Sequence, residues 1–156
     1  MKTELIVVGR TTDKHFLAAI NEYVNRIGHY MPFAITVIPE LKSTRSLTED
    51  QQRQAEGDLI LRLLTNVDTV VLLDERGDEL RSVELARWLE RKRLTARKLV
   101  FVIGGPYGFS PEVYARADEK LSLSRLTFSH QMVRLVFVEQ LYRACTIIKG
   151  EPYHHE

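Results

Sequence analysis

Apolar residues along this chain fall into two patterns, short continuous runs and runs at helical spacing, and the two alternate. Residues 5–8 are a β-branched run ended by Gly9, which predicts a strand buried on both faces. Residues 33–38, closed by Pro39, residues 69–73 and residues 98–103 read the same way, and residues 120–124 make a shorter fifth candidate. Between them the spacing predicts helices. Over residues 13–29, Phe16, Leu17, Ile20, Tyr23, Val24 and Ile27 share a face, with Asp13 as cap and Gly28 as stop. Residues 49–65 follow with Leu59, Ile60, Leu63 and Leu64 as core face, capped by Thr48 or Ser46. Ser82 caps a helix to about Arg93 carrying Val83, Leu85, Ala86 and Leu89, and Ser110-Pro111 opens a short one to about Ala117. The last, residues 130–149, is apolar on most of its circumference and ends at Gly150, which predicts burial in a core or partly against a second subunit.

Continuous apolar strands alternating with helices predict an α/β fold, a mostly parallel sheet with helices on both faces. At 156 residues the chain is one domain, 1–156, long enough to build a core without disulfides or metals. Its one cysteine, Cys145, sits in an apolar helical pattern and is expected to be buried. No apolar run is long enough for a membrane span and the N-terminus does not resemble a signal peptide, so the cytoplasm is the expected compartment, with no membrane partner. The formal net charge of +1 is weak for a nucleic-acid binder, so positive charge for RNA must be concentrated locally or doubled by dimerisation. One such cluster is Arg87, Arg91, Lys92, Arg93, Arg97 and Lys98, otherwise a solvated helix face.

Ligands of parallel sheets bind beyond the carboxyl ends of strands, which singles out three segments. Gly104-Gly105-Pro106-Tyr107-Gly108 follows a buried strand and permits close approach to the backbone, though it lacks the spacing of a phosphate loop or dinucleotide fingerprint. Asp74-Glu75-Arg76-Gly77 also follows a strand and is either a solvated turn or a carboxylate site for a ribose or a proton. Residues 123–130 mix apolar side chains with hydroxyls, as an adenine pocket would. Glu139 and Arg143, four apart, read as an ion pair, and Tyr153-His154-His155 as either a frayed end or a stacking and proton-transfer group. No metal site is expected from one Cys and two adjacent histidines.

Taken together, Leu73-Asp-Glu-Arg-Gly77, residues 101–108, residues 121–134, residues 139–144 and Pro152-Tyr-His-His155 resemble one family in order and spacing over the whole chain. It is the 23S ribosomal RNA pseudouridine N3-methyltransferases (RlmH) of the SPOUT superfamily. The resemblance implies a deep trefoil knot in the C-terminal half and S-adenosylmethionine bound there by Leu73, Gly104, Gly105, Leu123, Ser124, Arg125, Leu126, Thr127 and Phe128. It implies a homodimer in which the tail of one subunit reaches the site of the other. The implied substrate is a pseudouridine of 23S ribosomal RNA in the assembled ribosome. Arg134, Tyr153 and His154 are the residues expected to position the substrate, with His154 as proton acceptor ahead of Glu139. A non-catalytic RNA-binding module, or a hydrolase using Asp74, Glu75 and the glycine loop, are the alternatives.

Overall fold

The computed structural model describes residues 1–156. The strands are β1 (Lys2–Val8), β2 (Phe33–Ile38), β3 (Asp68–Glu79), β4 (Lys98–Ile103) and β5 (Glu119–Ser122). The helices are α1 (Lys14–Ile27), α2 (Glu49–Leu63), α3 (Ser82–Thr95), α4 (Pro111–Arg116) and α5 (His130–Lys149). The strands form one sheet in the order β2-β1-β4-β3-β5, every pair parallel, so all carboxyl ends lie along one edge.

Because the sheet is covered on both faces, alternate residues of each strand feed two separate cores. Leu5, Val7, Val71, Leu99, Phe101 and Leu121 pack with α1, α3 and α5, while Ile6, Ile38, Val70, Leu72, Val100 and Val102 pack with Ile60 and Val113 of α2 and α4. Side-chain caps set the helix starts. The Asp13 carboxylate accepts from the His15 and Phe16 amides, and Thr48 and Gln51 bond each other's backbone in a capping box. The Ser110 and Ser129 hydroxyls accept from Val113 N–H and Met132 N–H. Gly150, at φ 73°, ends α5 in a left-handed conformation that glycine adopts without strain.

Three details differ from the sequence reading. The chain does not turn away after Leu73. Leu121 pairs with both Leu73 and Asp78, so residues 74–77 are looped out of a strand that runs on to Glu79. The buried face of α2 is Glu56, Gly57 and Ile60, and Leu63 is 40% exposed, because α2 lies against the loop and short helix after β4 as well as the sheet. Arg81, not Ser82, occupies the cap position of α3, and the Ser82 hydroxyl donates to Gln140 Oε1 on α5.

Cys145 is buried, as its pattern suggests, but α5 is not enclosed all round. Phe137, Val138, Leu141 and Ala144 are in the core, whereas Met132, Val133, Leu135, Val136, Ile147 and Ile148 are only partly covered within one chain. No helix is long and apolar enough to cross a membrane.

Candidate active site

A cavity of about 840 Å³ opens at the carboxyl ends of β3, β4 and β5. Leu73 and Asp74 to Arg76 form one wall, residues 103–109 a second, and Leu123, Ser124, Leu126, Thr127 and Phe128 a third. Tyr114 of α4, Arg53 of α2, and His130 and Val133 of α5 complete it. Of the nine residues expected at a methyl-donor pocket, eight therefore surround this space. Arg125 does not: it points into solvent, its Nε donating to Glu79 Oε1 at 2.6 Å.

The walls are held from behind. Asp74 accepts from the Tyr114 hydroxyl at Oδ2 and from the Arg76 amide at Oδ1, 2.9 Å, which fixes the looped-out segment. Burial and then the Asp74 carboxylate push the Tyr114 hydroxyl up to about 12, so it stays a donor. Gly77 lies so close to the backbone of Lys120 and Leu121 that only a hydrogen side chain fits. The glycine loop closes on itself through Gly108 N–H to Gly105 O at 3.2 Å, with Gly108 at φ 81°. Arg53 Nη1 donates to the Tyr107 carbonyl at 3.0 Å. A side chain on Gly104 would meet the Phe109 ring at 3.0 Å, so both glycines after β4 leave bare backbone at the cavity. His130, whose proton affinity is lowered by burial and then by Arg134, stands at the amino end of α5.

The residues expected to position a substrate lie elsewhere in the chain. Arg134 is 2% exposed and tucked under the loop after β1, its Nη1 donating to Thr11 Oγ1 at 3.1 Å and its Nη2 to the Val8 carbonyl at 2.8 Å. The tail is not frayed. Tyr153 stacks edge-on against Tyr142 with centroids 4.7 Å apart, and its hydroxyl donates to Glu139 Oε1 at 3.1 Å. Arg143 reaches Glu139 Oε1 at 2.5 Å and His154 Nδ1 at 3.1 Å. A guanidinium only donates, so Nδ1 of His154 is the acceptor and the ring proton sits on Nε2, which is buried and makes no hydrogen bond, with Glu156 Oε1 3.7 Å away. Val133, at the cavity, and Arg143, at the tail, are ten residues apart on α5, roughly 15 Å at the α-helical rise. Within one chain the tail and the cavity are two places.

Tyr114 and Arg53 were not singled out by sequence. Tyr114 follows the Ser110-Pro111 cap signal by less than a turn, which was a usable hint, whereas Arg53 sits on a helix face that is polar throughout and carries none.

The chain that builds this cavity matches a family described as predicted SPOUT methyltransferase over residues 1–154. The protein is therefore an enzyme of the methyltransferase class, which needs a methyl donor. The chain is also 60% identical over 157 residues to the ribosomal RNA large subunit methyltransferase H of Bacteroides fragilis, with 100% of both chains covered. The proteins of that name from Phocaeicola vulgatus and Porphyromonas gingivalis are 60% and 52% identical, again over the full length of each. The chain belongs to this methyltransferase H family of the SPOUT class. That membership sets aside the binding-module and hydrolase alternatives.

Proposed function

We propose that this enzyme methylates large-subunit ribosomal RNA, using S-adenosylmethionine to modify N3 of a pseudouridine of 23S RNA in assembled ribosomes, and therefore acts in the cytoplasm. The observation that supports this most is the cavity bounded by Leu73, Gly104, Gly105 and residues 123–128, in a chain whose full-length relatives carry a ribosomal RNA methyltransferase name. The cavity suits an adenosyl ligand in kind. Its size is in the range of cofactor pockets, its walls mix apolar side chains with polar ones, and Gly104 and Gly105 line it as bare backbone. When bound, S-adenosylmethionine supplies a methyl group on a positively charged sulfur.

The chain's own residues bind and orient that donor and handle one proton. Leu73, Gly104, Gly105, Leu123, Ser124, Leu126, Thr127 and Phe128 would hold it, with Arg125 at the rim. Arg134, Tyr153 and His154 would position the pseudouridine. The roughly 15 Å that separates tail from cavity favours a homodimer in which each tail completes its partner's cavity. The knot implied for the C-terminal half belongs to this reading. The chain leaving β5 passes the cavity walls of β3 and β4 before α5 returns to α1. For His154 to take the N3 proton at Nε2, its ring must first leave Arg143 and change tautomer. Glu139 needs no change of tautomer to accept, so we assign it the proton once the bonds from Arg143, Tyr153 and Gln140 that hold both its oxygens loosen, with His154 donating from Nε2–H.

The test is transfer of labelled methyl to ribosomes that lack the modification, followed by nucleoside analysis of the RNA. Label in N3-methylpseudouridine of the large-subunit RNA is the expected result. Donor binding without label would overturn the substrate, and neither binding nor label would overturn the whole reading. In the same assay E139Q loses more activity than H154Q. The reverse order would return the proton to His154.

A further inference from the structure

Glu56 is a carboxylic acid where the packing has no need of one. Its side chain is 96% buried on the face of α2 that meets the glycine loop; Oε2 accepts from Gln52 Nε2 at 3.3 Å and Oε1 has no partner. A half-partnered carboxyl is unfavourable to bury, so its position is maintained by the surrounding structure. What it meets is Gly105. A Cβ on Gly105 would lie 2.7 Å from both Cδ and Oε2 of Glu56, and closer still to Oε1. Gly105 does not have the positive φ that would itself demand glycine, unlike Gly108. The steric need for glycine at position 105 is therefore set by Glu56.

Two neighbours extend the contact. Arg53, one turn earlier on α2, holds the Tyr107 carbonyl. Gly57, next to Glu56, lets the helix press against Ser110, the cap of α4. Two successive turns of α2 thus hold the loop at Gly105 and Tyr107 and seat the cap of α4 just beyond it. We propose that Glu56 is a positioning residue for methyl-donor binding: its carboxyl, wedged between α2 and Gly105, fixes how far the Gly104–Gly108 backbone stands over the cavity. Burial raises the proton affinity of Glu56 above that of an ordinary glutamate.

The inference rests on the cavity being the donor pocket, and its test is built to separate the two. The first measurement is amide exchange of residues 104–108 in the donor-free, full-length protein. E56A raises exchange of the loop by about ten-fold while E56Q, of the same shape, stays near the parent. The second is S-adenosylmethionine affinity by calorimetry across a double-mutant cycle. G105A alone loses on the order of a hundred-fold in affinity because its methyl collides with the carboxyl, E56A loses about ten-fold, and G105A combined with E56A is no weaker than E56A. In turnover, E56A raises donor KM and leaves kcat within about two-fold. Parent-like exchange in E56A, or a G105A deficit unchanged by E56A, overturns the proposal. Failure of the parent itself to bind S-adenosylmethionine overturns the donor assignment instead, and the exchange result still decides whether Glu56 sets the loop.

Discussion

Replacing Gly77 with alanine isolates the cost of a crowded sheet register, because Gly77 is not at a positive φ and alanine is free of backbone strain there. The added methyl would lie 2.6 Å from the Lys120 carbonyl carbon and 2.7 Å from Leu121 N and C, about 0.8 Å short of ordinary contact at 3.4 Å. All three obstacles are backbone, so no side chain can swing aside. β5 must shift from β3 by most of that distance, which stretches ladder bonds of about 2.9 Å beyond useful length. Two lost bonds at about 1 kcal/mol each, with one buried group left unpaired, come to about 3 kcal/mol. For a domain of this length that lowers Tm by about 6–12 °C. The chain carries its own reporter: Trp88, the only tryptophan, donates from Nε1 to Glu119 Oε1 on β5 at 3.0 Å. Urea unfolding followed by Trp88 fluorescence gives the difference, and a G77A protein within about 0.5 kcal/mol of the parent would refute the argument.

The remaining expectations are narrower. Glu56 has a raised folded-state affinity for its proton, so the stability it contributes is present at low pH and lost as pH rises through the raised value. E56Q is accordingly more stable than the parent at pH 7–8 and no different near pH 4, as thermal melts at both will show. Burial pushes the Cys145 thiol up to about 11, so thiol reagents at pH 8 label it only after denaturant is added, and rapid labelling of the native protein would contradict its burial. T48A removes one arm of the α2 capping box and costs about 1 kcal/mol in urea unfolding. Nitrogen-resolved NMR of His154 should show the proton on Nε2, and a proton on Nδ1 would mean that Arg143 does not hold the ring.

Where a structural feature follows from local side-chain chemistry, the sequence shows it. The strand over residues 33–38 and the helix over 130–149 are found where their apolar patterns and flanking Pro39 and Gly150 put them. The three cavity walls were legible because parallel sheets bind at strand ends, and each wall begins where an apolar run stops. What was hidden depends on neighbours distant in sequence. Residues 74–77 look like a turn because their composition is a turn's; only pairing with Leu121 shows that the strand resumes. Glu56 looks like a solvent-facing charge on a polar helix until α2 is laid against Gly105. The tail looks frayed because its anchors, Tyr23 and Tyr142, lie on two different helices.

The strand order also sets a timetable. β4 lies between β1 and β3, so the sheet has a gap at its middle until residues 98–103 have been made. No strand pair is a hairpin, and each parallel contact closes a long loop before it returns any stabilisation. A nascent chain carrying only β1, β2 and β3 has two unjoined pieces of sheet and no α5 to cover them. The complete sheet therefore closes only once β4 and β5 have been made, through long-range contacts of the kind that fold slowly.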